Sequence, residues 1–170
     1  HLDYKKDKVI FDSMSGELIV KYDKDYLQMD FPHRNPVSSE LPNNIYESLS
    51  IKPKEILKSR DYILVYENED QIKNIKIDKE LFDKKNIDPG GVVITAKGNN
   101  SDFVSRYFVP QCSFFEDPVT GSTHCSLVPY WSKKLGKQKL TSMQLSERGG
   151  EMFCIDKGDR VLINGKAQTY

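Results

Sequence analysis

The residues Glu116-Asp117-Pro118-Val119-Thr120-Gly121-Ser122-Thr123-His124 combine acid chemistry with an anion site. A strand-like segment ends in two carboxylates, turns through a proline and a glycine, and opens into a helix. The first N–H groups of an α-helix lack intrahelical partners, and the helix dipole favours negative charge there. Gly121, Ser122, Thr123 and His124 are therefore expected to aim donors at one point, where a substrate carboxylate or phosphate would bind. Asp117 stands beside that cradle as a carboxyl group able to move a proton. The same pattern is also met by a plain capped helix behind an Asp-Pro turn, with Ser122 as the cap.

Neighbouring residues carry similar pairs of readings. His124 lies on an apolar stripe with Val128, Trp131 and Leu135, which suits a buried, satisfied imidazole, while its first-turn position suits a functional one. Cys125 would gain thiolate character at a helix N-terminus. It points about 100° away from His124, and no Cys-His spacing supports it, so a structural role is expected. Asp102 and Arg106 sit at i and i+4 of a strand, hence on one face. Arg106 can clamp a ligand carboxylate or hold Asp117 ionised, or the two can form an ordinary surface pair. Gly90-Gly91 and Gly149-Gly150 match neither a P-loop nor a dinucleotide fingerprint and read as turns.

The elements that must position these groups follow from pattern. Val9 to Phe11, Glu17 to Tyr22 and Tyr26 to Phe31 read as a meander of strands, separated by Ser13-Met14-Ser15-Gly16 and Asp23-Lys24-Asp25. Pro32 to Pro42 reads as a linker between lobes. A short helix is expected from Asn43 or Asn44 through Ser50, with further short helices over Asp70 to Ile75 and Asp78 to Asp83. Strands are expected at Tyr62 to Tyr66, Val92 to Ala96 and Asp102 to Val109. The strongest helix runs from Thr123 to Leu135, capped by Ser122 and ended by Gly136, with Pro129 inside it freeing the carbonyl of Cys125. Ser142 to Ser146, Glu151 to Ile155 and Arg160 to Ile163 return to strands. Strands flanking a few helices imply an α+β fold rather than alternating βαβ units.

Composition bounds the function classes. The chain has 170 residues with 25 cations, twenty of them lysines, and 25 anions, for a net charge of zero. Nucleic acid and anionic membrane surfaces are thereby disfavoured as partners, because both need concentrated positive charge. No run approaches the roughly 18 apolar residues of a membrane span. Three cysteines without paired spacing suit a reducing compartment, and His1-Leu2-Asp3-Tyr4 opens no signal peptide, so a cytoplasmic location is expected.

Four motifs in order then resemble one family: Asp102-Phe103-Val104-Ser105-Arg106-Tyr107-Phe108-Val109-Pro110, Glu116 to Cys125, Pro129-Tyr130-Trp131 with Leu135-Gly136-Lys137, and Gln144-Leu145-Ser146-Glu147-Arg148-Gly149-Gly150-Glu151. Together they resemble the C-terminal lobe of the phenazine-biosynthesis PhzF-like family. Ser15-Gly16-Glu17-Leu18 and Met29-Asp30-Phe31-Pro32 look like the closing strands of its N-terminal lobe. The resemblance implies a diaminopimelate-epimerase-like α+β fold, a curved, mostly antiparallel sheet around a central helix. Residues 1–36 would be the remainder of the N-terminal lobe and 37–170 the C-terminal lobe, its last few residues returning to the first.

It further implies a cofactor-independent, metal-free isomerase or epimerase that moves a proton on a small carboxylate-bearing metabolite, dihydro-hydroxyanthranilate-like in the best-known relative. Asp117 would contact the substrate, and Gly121 and Ser122 would supply cradle groups; with the pattern above, Asp117 is the expected catalytic residue and Gly121, Ser122, Thr123 and His124 the expected substrate-binding ones. The family's glutamate and a glycine-histidine motif would lie before His1, so the chain alone is expected to be inactive. It is expected to form a homodimer or to associate with the missing N-terminal segment. Related racemases carry a cysteine just before the matching Thr-Gly, where this chain reads Asp117-Pro118-Val119, so two-cysteine racemisation is disfavoured. The alternative function is a non-catalytic binding or interaction protein of the same fold.

Overall fold

The computed structural model describes residues 7–23, 25–87 and 89–167. His1, Lys24 in the expected Asp23-Lys24-Asp25 turn, and the last residues 168–170 lie outside them. Three strands open the chain: β1 (Lys8–Ser13), β2 (Gly16–Asp23) and β3 (Tyr26–Pro32). Gly16, at φ +86°, closes the first hairpin in a conformation that disfavours a side chain. β4 (Val37–Ser38), α1 (Asn43–Ser48), β5 (Glu55–Lys58), β6 (Tyr62–Val65), α2 (Glu69–Asn74) and α3 (Lys79–Phe82) follow. Then come β7 (Val92–Lys97), β8 (Phe103–Phe108), β9 (Glu116–Asp117), α4 (His124–Leu135), β10 (Lys139–Gln144), β11 (Gly150–Asp156) and β12 (Arg160–Gly165).

All the strands join one sheet in the order β1-β2-β3-β12-β11-β10-β8-β7-β6-β5-β4, with β9 added to β8. Only β6–β7 and β8–β10 pair in parallel among the described residues, so the α+β reading holds. A flat sheet would hold β3 and β4 about 38 Å apart at its usual strand spacing. Yet only His33 to Pro36 separate Pro32 from Val37, a path of at most roughly 18 Å. The sheet must therefore curl until its distant strands approach, and α4 fills the curl.

Cross-strand register sorts the sheet's two faces. Ile63, Val93, Phe103, Tyr107, Leu140, Met152, Cys154, Val161 and Ile163 share the inner face and pack with Leu127, Val128 and Trp131 of α4. Trp131 stacks on Phe103 with centroids 5.9 Å apart and gives its indole N–H to Thr95 Oγ1 at 3.0 Å. On the other face, Leu64, Ile94, Val104 and Phe108 pack under α1 to α3, with Ile45, Ile72 and Phe82 in the core. The side chains of Asn68 and Asp78 cap α2 and α3.

Some expectations shift. The first short helix is preceded by Pro42 rather than capped by an Asn side chain. Ser122 does not cap α4; Thr123 occupies the cap position with no side-chain cap bond, and Gly136 ends the helix at φ +67°. β4 and β5 escape the sequence patterns, because a two-residue strand carries no period and Glu55-Ile56-Leu57-Lys58 is half-buried throughout, whereas β9 is the strand end expected at the two carboxylates.

Candidate functional site

Asp117 lies on β9 opposite Tyr107 of β8, so both side chains share the inner face at the mouth of α4. Its carboxylate accepts a hydrogen bond from the hydroxyl of Thr120 at 2.7 Å. The loop from Asp117 to Thr123 is fixed by the side chain of Gln144, which is buried at the end of β10. Gln144 Nε2 donates to the Asp117 carbonyl at 2.6 Å, and Gln144 Oε1 accepts the Thr120 N–H at 2.7 Å. Ser146 Oγ donates to the Pro118 carbonyl at 2.6 Å and accepts the Gly149 N–H at 3.1 Å. A Cβ at Gly150 would meet Val119 Cγ2 at 2.5 Å, so Gly150 is a close-contact position against this loop rather than only a turn residue.

The helix mouth presents fewer free donors than its sequence suggests. The His124 N–H bonds to the Gly121 carbonyl at 3.0 Å, while the N–H groups of Gly121, Ser122 and Thr123 have no partner among the described residues. Three unpartnered donors remain, not four. The His124 side chain is also turned away, being fully buried beneath the helix. It bonds the Thr120 carbonyl through Nδ1 at 3.0 Å and the Ser142 hydroxyl through Nε2 at 2.9 Å. A carbonyl only accepts, so Nδ1 carries the proton and Nε2 accepts from Ser142. Burial pushes the imidazole down to about 4, against a weaker opposing effect of the Thr120 carbonyl. His124 therefore holds the loop from below as a neutral group, and its expected role as a substrate ligand is corrected.

Arg60, on the turn between β5 and β6, supplies positive charge nearby. Its Nη1 lies 3.5 Å from Ser122 Oγ, and its Nε donates to the Pro89 carbonyl at 2.8 Å. The adjacent Asp61 is buried and accepts from Tyr107 Oη at 2.9 Å and from the Gly91 N–H at 3.0 Å. Close packing explains the glycine pair: a Cβ on Gly90 would meet the Arg60 carbonyl at 2.5 Å, and one on Gly91 would meet Tyr107 at 2.6 Å. Burial, reinforced by Asp61, pushes the Tyr107 hydroxyl far up, so it serves as a neutral donor.

The expected pairing of Asp102 with Arg106 does not form. Asp102 accepts from the Thr141 N–H at 2.7 Å and pairs with Lys137. Arg106 instead binds both Glu116 oxygens, at 2.7 and 2.8 Å, and reaches the Ile72 carbonyl at 3.2 Å. It holds the residue before Asp117 rather than Asp117 itself. Cys125 is buried, and desolvation pushes its thiol up, the opposite of what a nucleophile needs. The role of Gln144 was not read from the sequence; its inward alternation with Leu140 and Ser142 on β10 is the signal that could have found it. Arg60 and Asp61 carried no local signal, because only the sheet's curl brings their turn to α4.

A curled α+β sheet wrapped on one helix, with a carboxylate loop at the helix mouth, is the epimerase-like architecture shared with solved PhzF-type proteins. The chain belongs to the PhzC-PhzF family of phenazine biosynthesis-like proteins, whose family model matches residues 2–170. It is 42% identical over 160 residues to an uncharacterized isomerase of Pseudomonas aeruginosa, covering 94% of this chain and 61% of that protein. A phenazine biosynthesis PhzC/PhzF protein from Clostridium difficile superposes with a TM-score of 0.86 at 40% identity, covering 99% of this chain and 65% of that one. A PhzF-family protein from Enterococcus faecalis gives 0.87 at 36% identity, covering 99% and 64%. The chain thus spans less than two thirds of the length of these relatives.

Proposed function

We propose that the complete protein is a cofactor-independent isomerase or epimerase that shifts a proton on a small carboxylate-bearing metabolite, and that this chain supplies the substrate-holding half of its site. The observation that carries this reading is the set of three unpartnered N–H groups, Gly121 to Thr123, beside Asp117 in a loop locked by Gln144. The cradle and Arg60 hold the substrate carboxylate, and Asp117 exchanges a proton with the reacting framework. A proton shift between two carbons needs a second group across the cleft. We assign it to residues outside this chain, seated over the inner face of β1 to β3, where Phe11 and Tyr22 are exposed.

Turnover of dihydro-hydroxyanthranilates in deuterated water, by this chain and by a version extended to the relatives' length, tests the reading. The extended protein is expected to isomerise substrate with solvent deuterium incorporated at carbon, and the 170-residue chain is expected to be inactive. Anthranilate, as a non-reacting carboxylate probe, is expected to shift the Gly121, Ser122 and Thr123 amide resonances of either. A protein that binds anthranilate but turns over none of these candidates would favour a non-catalytic binding role.

A further inference from the structure

Pro129 stands in the middle of α4, the most deeply packed helix of the fold. A proline there removes the N–H that would bond the carbonyl four residues earlier, and its ring crowds that carbonyl. The carbonyl in question is Cys125, in the first turn of the helix. It accepts the backbone N–H of Arg34 at 2.8 Å. Arg34 lies in the short segment between β3 and β4, which crosses the open side of the curled sheet directly over α4.

The same segment is tied at neighbouring points. The His33 N–H reaches the Asp159 carbonyl at 3.3 Å, and Arg34 Nη2 donates to Ser15 Oγ, on the first hairpin, at 2.8 Å. Upstream, Met29 of β3 comes within 3.6 Å of where a Cβ on Gly121 would stand. Among the described residues, strands β1 to β3 join the rest of the sheet only along β12, from Pro32 opposite Arg160 to Leu27 opposite Gly165. Arg160 reinforces that ladder through Asp30 Oδ1 and the Glu17 carbonyl, and Met29 and Phe31 pack on the α4 core. The bond from Arg34 to α4 adds a backbone tie off the line of the ladder.

We propose that Pro129 is a positioning residue: by opening its own helix at Cys125 it provides the acceptor that latches Arg34, and so sets the orientation of β1 to β3 over the Gly121 to Thr123 cradle. The consequence for ligand binding rests on the function proposed above, whereas the latch itself does not.

The test uses the intact protein, isotopically labelled, with Pro129→Ala, Arg34→Pro, which deletes the donor without touching the helix, and Arg34→Lys, which keeps both donor and charge. In the unaltered protein a trans-hydrogen-bond scalar coupling links the Arg34 nitrogen to the Cys125 carbonyl carbon, and the Arg34 amide exchanges slowly. In Pro129→Ala that coupling passes to the new Ala N–H and Arg34 exchange accelerates at least tenfold, while amides of β7 are unchanged. Arg34→Lys retains the coupling. Pro129→Ala and Arg34→Pro each weaken anthranilate binding at the cradle fivefold or more, and Arg34→Lys does not. Absence of the coupling in the unaltered protein, or its survival in Pro129→Ala, overturns the latch. Loss of the coupling with anthranilate affinity unchanged overturns the positioning role. Failure of the unaltered protein to bind anthranilate instead removes the proposed function, and the latch then stands or falls on coupling and exchange alone.

Discussion

The sheet has two regions built to different rules. From β12 through β6 the packing is complete: α4 fills the inner face, and Phe103 at its centre is fully buried. Along β1 and β2 the same inner face continues through Phe11, Leu18, Val20 and Tyr22 with no helix over it among the described residues, and Phe11 remains 53% exposed. Two phenylalanines on one face of one sheet thus have opposite surroundings. The difference shows that a sheet's register can be fully specified by backbone pairing and alternation while its burial still waits for a covering element.

This contrast can be broken experimentally. Phe103→Ala should cost about 3–5 kcal/mol of unfolding free energy, the usual toll for an aromatic removed from a closed core, measured by urea denaturation. Acid should reveal the buried imidazole next. The folded state holds His124 near 4, below its ordinary 6.5, so the unfolded chain binds the proton first as pH falls. Stability is full above about 6.5 and declines by about 3 kcal/mol on reaching pH 4, and replacing His124 with Gln should flatten that part of the profile. Asp117→Asn should lower turnover of the extended protein roughly 10²-fold while leaving its unfolding midpoint nearly unchanged, which separates chemistry from packing. Smallest of all, Phe11→Ser in this chain should move stability by no more than about 0.5 kcal/mol. In the extended protein the same change should cost several times more, provided the added residues cover the face.

Legibility in the sequence followed the range of the cause. The body and end of α4 could be read from its apolar stripe and Gly136, and the three opening strands from their turns, because each depends on residues a few positions apart. The carboxylate and cradle of the candidate site were visible for the same reason. What could not be read was long-range. Arg106 chooses Glu116 over Asp102 because β9 folds back onto β8. The fourth cradle donor is lost to a tight turn at Gly121, a detail of backbone geometry that Ser and Thr side chains do not announce. Gln144 and Arg60 reach the site from elements remote in the chain, and β5 stayed hidden because its alternation is blurred by half-burial on both faces.

The ladder between β3 and β12 also governs the order in which the molecule can be made. Strand β3 pairs with β12, more than a hundred residues later in the chain. At typical synthesis speeds of about 5–20 residues per second, β3 waits roughly 6–25 s for its partner. Throughout that interval its edge is unsatisfied and its apolar face open, the combination that draws nascent chains into wrong pairings. Yield during synthesis, rather than the stability of the finished fold, is therefore where this topology is most vulnerable.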